Sequence, residues 1–163
     1  YLPYACDREL HGRSLEYPKT RDVVLVGSIR NDRIALANEL KKHDINLELV
    51  GDVFREAYID ALASACIVLN QNPEAGRGLL NMRHFEAQAA GAILIEQWND
   101  LKPNKEAGFN NMAFAQNGDY ADVIRDVGAM RLDRKRMQDD FFAEHTYNNR
   151  CQEILETIYH ERV

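Results

Sequence analysis

The stretch from Cys66 to Glu96, CIVLNQNPEAGRGLLNMRHFEAQAAGAILIE, limits what this chain can fold into more than any other part of it. Two short apolar runs, Ile67–Leu69 and Ala92–Ile95, enclose a loop rich in Gly, Arg and Asn and a helical segment from Arg83 to Ala90. Apolar runs that are continuous rather than alternating suit strands covered on both faces, the situation of a parallel sheet. Gly91 closes the helix at a position that favours a left-handed backbone. A strand, a helix and a second parallel strand form a βαβ unit, and its crossover is right-handed. Ligands of such sheets bind beyond the carboxyl ends of the strands, so the polar residues that follow each run are the first candidates for function.

The same alternation runs through the chain. Val23–Val26 is an apolar strand ended by Gly27. Asn31 or Asp32 can cap the next helix, whose apolar positions Ile34, Ala37 and Leu40, with Ala35 and Leu36, recur at helical spacing until about His43 and Asp44. Leu47–Val50 is the second strand, closed by Gly51 and Asp52. A helix over Phe54–Ala65 places Tyr58, Leu62 and Ala65 on one face. After the fourth strand a long loop, 97–111, precedes a short fifth strand, Met112–Ala115. Three helices follow, over Asp119–Val127, Asp133–Glu144 and Thr146–Tyr159. This order predicts an α/β fold: a Rossmann-like parallel sheet with helices on both faces, then C-terminal helices. Residues 1–21 contain Pro3 and Pro18 and show no periodicity, and are read as a linker. Residues 22–163 form the domain.

Composition narrows the function. A net charge of -6 argues against a nucleic-acid binder, which needs a basic face. It leaves room for one anionic small molecule in a locally positive pocket. The 3 cysteines, Cys6, Cys66 and Cys151, are odd in number and far apart, which excludes a disulfide framework and points to the cytoplasm. Cys66 opens an apolar run and is expected in the core. No run approaches the length of a membrane span. The 5 histidines show no metal-ligand spacing, and there is no Asp-x-Asp, so neither metal nor cofactor is expected.

Three places can carry chemistry, each with a plainer alternative. Gly27, Ser28, Arg30 and Arg33 follow the first strand, where a turn, a helix N-terminus and two arginines suit a phosphate. The same residues also make an ordinary strand–helix turn with surface arginines, and no GxGxxG or P-loop is present. Asn70, at the end of the third strand, begins the loop through Gly76, Arg77 and Gly78, which is either a ligand loop or a surface loop. On the short helix, Glu86 can accept two hydrogen bonds from a ribose diol, or it can be a solvated glutamate. Arg83, three residues earlier, either points at phosphate or forms an i,i+3 ion pair with Glu86. His84, inside the same motif, is a further candidate contact. Arg131, Arg134, Lys135 and Arg136 read as a solvated helix face.

Taken together, these residues resemble a known family. The run from Arg83 to Ile95 is similar to the R-x-F-E-x-x-A-x-G segment of group-1-type glycosyltransferases of the GT-B fold, most closely the spore-maturation-like branch. Asp22–Ser28 resembles the first strand and turn of their donor-binding domain. Gly51–Tyr58 with Ala65–Asn70 resembles a further segment, and the H-T-Y-x-x-R from His145 to Arg150 opens the last helix. Tyr1–Asp7 is similar to the hinge that leaves the N-terminal domain. The resemblance implies one half of a GT-B enzyme, with an N-terminal domain missing, that binds a nucleotide-diphosphate sugar of UDP or GDP type. It implies that Glu86 holds the ribose, that Gly27 and Ser28 face the diphosphate, and that no metal is bound. Many retaining members carry a second Glu eight positions before the ribose Glu, and here that position is Gly78. A non-catalytic α/β nucleotide-binding, regulatory or interaction module is the alternative. A receiver-like module would need acidic residues where Gly27, Ser28 and Asn70 stand.

Overall fold

The computed structural model describes residues 4–12, 17–71, 81–97, 112–115, 118–130 and 133–160. Strands β1 (Arg21–Val26), β2 (Leu47–Val50), β3 (Ala65–Asn70), β4 (Ile93–Gln97) and β5 (Met112–Ala115) form one sheet in the order β2-β1-β3-β4-β5. Every neighbouring pair is parallel, with Val23 opposite both Leu47 and Ile67, Ile67 opposite Ile93, and Leu94 opposite Met112. The chain runs outward from β1 to β2, then crosses back to β3. The order therefore reverses between β1 and β3, and the carboxyl ends of those strands, at Gly27 and Asn70, frame the crevice where open sheets take ligands.

Seven helices surround the sheet: α1 (Arg8–Gly12), α2 (Asn31–Lys41), α3 (Glu56–Ala63), α4 (Met82–Ala89), α5 (Tyr120–Gly128), α6 (Arg134–Glu144) and α7 (Tyr147–His160), counted among the described residues. On one face Val23, Leu25, Ile67, Leu69, Ile93 and Ile95 pack against Leu40 of α2 and Ile124 and Val127 of α5. On the other, Val24, Val26, Val68 and Leu94 pack against Ala61 and Leu62 of α3 and Ala87 of α4. The buried residues of each strand thus feed one of two cores in alternation, which is why the runs Val23–Val26 and Ile67–Leu69 are continuously apolar. Burying a Leu or Val fully contributes roughly 1.5–3 kcal/mol.

A smaller cluster, Cys6, Phe85, Ala89, Phe141 and Phe142, ties the N-terminal segment to α4 and α6. Cys6 donates its N–H to His145 O at 2.9 Å and accepts from Tyr147 N at 3.1 Å. The histidine–threonine–tyrosine motif is a helix start: Thr146 N donates to Asn149 Oδ1 at 2.9 Å and Asn149 N donates to Thr146 Oγ1 at 3.3 Å, reciprocal caps on α7. Arg150, buried, donates to the carbonyl of Glu144 at 3.3 Å.

Five local expectations change. Helix α1 forms within the segment read as lacking elements, held by Asp7 Oδ1, which accepts from Glu9 N at 2.8 Å and Leu10 N at 3.0 Å. Helix α3 starts only at Glu56, because Arg55 has φ 52° and cannot continue a helix backward; Phe54 is left exposed. In α2 the inward stripe is Arg33, Leu36, Ala37 and Leu40, which rotates Ile34 out to solvent. Arg134 does not belong to a solvated face. Its Nε donates to Gly91 O at 3.0 Å and its Nη2 to Ala63 O at 3.3 Å and Ala90 O at 3.2 Å, so it closes the carboxyl ends of α3 and α4, where a cation is favoured. Lys135 and Arg136 are exposed and reach Asp139 and Asp140, while Arg131 lies outside the described residues. Gly91 has φ 65°, the expected left-handed closure of α4.

The last change concerns Cys66. It is exposed, because β3 begins at Ala65 and the cover on that face is complete only further along the strand. Cys6 instead is buried, and burial pushes its thiol up to about 12. A thiol-labelling time course on the folded chain at neutral pH therefore modifies Cys66 and Cys151 quickly and Cys6 at least a hundred-fold more slowly, on the order of what withdrawal of the thiolate imposes. Equal rates at all three positions would contradict the packing of the N-terminal segment. No helix among the described residues is long and apolar enough to cross a membrane.

Candidate functional site

The crevice is built around Gly27. Its φ of 123° is one that side-chain-bearing residues rarely adopt, and its N–H is tied to Val50 O at 2.8 Å. A Cβ there would lie 3.1 Å from Arg33 Nη1 and 3.3 Å from Arg83 Nη2. Two guanidinium groups, one from α2 and one from α4, thus end on the same glycine turn. Only a residue without a side chain leaves them that room.

The two arginines are held differently. Arg33 is 5% exposed; its Nη1 donates to Ser28 O at 2.7 Å and its Nη2 to Gln71 O at 3.3 Å. Arg83 Nη1 donates to Asn70 Oδ1 at 3.4 Å. The Nε of each is buried and has no hydrogen-bond partner among the described residues, and neither arginine forms an ion pair among them. Burial first, then the charges of Arg30 and Arg83, make the Arg33 guanidinium easier to deprotonate than usual. Like charges gathered without a counter-charge are costly, and a bound anion would relieve that cost.

Arg30 is not part of this pair. It flanks the start of α2 and grips Asp32 in a fork, Nε to Oδ1 at 3.0 Å and Nη2 to Oδ2 at 2.8 Å. That bond holds the exposed Asp32 carboxyl down at about 2. Ser28 is exposed at the turn, with its carbonyl committed to Arg33.

Below Arg83 lies a buried polar network. Asn70 is fully buried; its Nδ2 donates to Glu96 Oε2 at 2.6 Å and its Oδ1 accepts from Asn81 Nδ2 at 3.2 Å. Asn81 caps α4 through Arg83 N, at 3.0 Å from its Oδ1. Asn81 N in turn donates to His84 Nδ1 at 3.1 Å, a reciprocal capping box. Because Nδ1 accepts there, the proton of the ring sits on Nε2, which faces Glu96 Oε2 at 3.2 Å. His84 is thus 3% exposed with both ring nitrogens engaged inside the chain.

Glu86 is partly exposed on the next turn of α4, and the Tyr58 hydroxyl of α3 donates to its Oε2. The i,i+3 ion pair with Arg83 is not formed among the described residues. The structure therefore brings Gly27, Ser28, Arg33, Asn70 and Arg83 together at the switch point, sets Glu86 beside them on α4, turns Arg30 to Asp32, and buries His84 beneath. Gly76, Arg77 and Gly78 lie outside the described residues. Sequence reasoning missed three participants. Tyr58 reads as a helix-face aromatic, Glu96 as the residue after an apolar strand. Asn81 could have been found as a cap, three residues before a His rather than the usual Glu or Gln. No group of His, Cys, Asp or Glu among the described residues is arranged to hold a metal ion.

Comparison with known proteins agrees with this architecture. No curated protein gives a significant match. Among solved structures, the crystal structure of AviGT4, a glycosyltransferase involved in avilamycin A biosynthesis, superposes with a TM-score of 0.56 at 16% identity, over 91% of this chain and 46% of that one. At that identity the likeness is one of fold, and the chain spans under half the length of that enzyme. The family model described as glycosyl transferase-like matches residues 8–156, and the chain belongs to that family.

Proposed function

We propose that this chain is the donor-binding half of a glycosyltransferase, and that it holds a nucleoside-diphosphate sugar of UDP or GDP type in the crevice between β1 and β3. The observation that carries the reading is the convergence of Arg33 and Arg83 on Gly27, with no carboxylate among the described residues paired to either. The diphosphate lies on the Gly27–Ser28 turn against these two guanidiniums, with Arg30 adding positive field from the rim. Glu86 accepts the ribose hydroxyls. Asn70 and His84 hold the arginine and the start of α4 in place.

As the glycosidic bond to the donor breaks, negative charge builds on the β-phosphate oxygens. Cations already fixed at that point lower the barrier more than they tighten ground-state binding, because their own ordering cost is met on folding. With two guanidiniums for the leaving group, no metal is required. A preceding domain supplies the acceptor site and its base. The group-1 motifs between Arg83 and Ile95 support the spore-maturation-like branch, and the three unpaired cysteines support a cytoplasmic setting.

Calorimetric titration with UDP, GDP and inorganic pyrophosphate, each with and without EDTA, tests the reading. One nucleoside diphosphate binds, pyrophosphate competes with it, and EDTA changes neither. If none of the three binds at millimolar concentration, the proposal fails. Metal-dependent binding would remove its metal-free part.

A further inference from the structure

We infer that Tyr58 is a positioning residue that holds the ribose carboxylate of Glu86 away from the phosphate cation of Arg83; this rests on the donor-binding reading above. Arg83 and Glu86 stand three residues apart on one face of α4, a spacing at which opposite charges ordinarily pair. Among the described residues they do not. Between them stands the phenol of Tyr58, brought over from α3, whose hydroxyl donates to Glu86 Oε2. The Arg83 guanidinium acts on the same phenol, in the sense opposite to Glu86.

The phenol is suited to this work. Its ring packs at the margin of the core formed by α3, α4 and the sheet, so its hydroxyl is fixed rather than free to rotate away. Burial, followed by the charge of Glu86, raises its pKa, so it stays a proton donor to the carboxylate. A carboxylate has about four acceptor positions. The phenol occupies Oε2, leaving Oε1 and the outer lone pair of Oε2 for a diol. Without the hydroxyl, Glu86 is released toward Arg83. One new ion pair would then remove a cation from the diphosphate and an acceptor from the ribose together.

Tyr58→Phe tests this in the full chain. The probes are UDP and GDP, their 2′,3′-dideoxy forms, and inorganic pyrophosphate, measured by calorimetry. The wild type prefers the ribo form about ten-fold or more, the scale of a hydrogen bond to a charged group. Tyr58→Phe reduces that preference below about two-fold and weakens pyrophosphate about five-fold, roughly 1 kcal/mol at this conversion. The double variant Tyr58→Phe/Glu86→Gln, with no carboxylate to capture Arg83, returns pyrophosphate affinity to that of Glu86→Gln alone. A merely structural role for Tyr58 would weaken all ligands equally and would not be rescued. If Glu86→Gln abolishes the ribose preference while Tyr58→Phe keeps it, the positioning role is wrong and the donor site stands. If Glu86→Gln also keeps the preference, or no nucleotide binds to the wild type, the ribose assignment fails and this inference fails with it.

Discussion

Replacing Arg83 with alanine lowers nucleoside-diphosphate affinity about thirty- to a hundred-fold, the range for losing charge-assisted hydrogen bonds to a phosphate. Arg83 can be removed without a large structural cost. Its Nη1 contact to Asn70 Oδ1 is long, at 3.4 Å, and that oxygen keeps its bond from Asn81 at 3.2 Å. The urea midpoint of the variant should therefore stay near the wild type while binding collapses. Arg33→Ala has a similar effect on binding but leaves Ser28 O and Gln71 O without their donor, so it also lowers stability by about 1–2 kcal/mol. The two substitutions are not additive, because both guanidiniums meet at Gly27 and share one anion. Arg30→Ala is the control: its guanidinium is engaged by Asp32, and the loss should be under about three-fold, as for a rim charge. Calorimetry with the preferred nucleotide reads all three, and an Arg83→Ala chain that binds like wild type would remove the phosphate assignment.

The largest effect on stability comes from His84. Alanine there leaves the Glu96 carboxylate, 7% exposed, with the Asn70 amide but without the imidazole, and leaves Asn81 N without its acceptor. Leaving a buried carboxylate short of one hydrogen-bond donor costs about 1–3 kcal/mol, and more for a charged group, since the charge keeps its desolvation cost and loses part of its compensation. Such a loss is a large part of what a domain of this size has. Urea unfolding followed by circular dichroism measures it; a change under about 1 kcal/mol would show that the network is not a structural unit. His84→Gln retains one donor and should lose less. If that variant folds and binds nucleotide as the wild type does, His84 is a support for the site rather than a contact in it.

The strands were legible because a doubly covered strand must be apolar at every position. Leu25, Val68 and Leu94 could be recognised from their neighbours alone, and the alternation with helical spacing then left few topologies. The turn at Gly27 stood out for the same local reason: a glycine at the end of an apolar run has few explanations. Glu86 was favoured only by the family resemblance, since its own neighbours also suit a solvated glutamate. The partners of these residues were not legible. The pattern of α2 placed Ile34 inward by hydrophobicity, whereas the structure turns Arg33 in and Ile34 out. No local rule favours burying a guanidinium. Carbonyls at Ser28 and Gln71, the second of them 38 residues away, make it possible. Likewise Cys66 had the composition of a core residue and the address of a strand margin.

The amino-acid sequence by itself determined the parallel α/β architecture, because the covering of each strand is written in its own residues. Only the tertiary structure decided how the opening stretch works: that Arg83 meets Arg33 from another helix over Gly27, that His84 faces inward to Glu96, and that Tyr58 stands between Arg83 and Glu86. These are contacts across elements. Their energy depends on distance, burial and the number of partners, quantities that exist only once the sheet has brought the ends of β1 and β3 together.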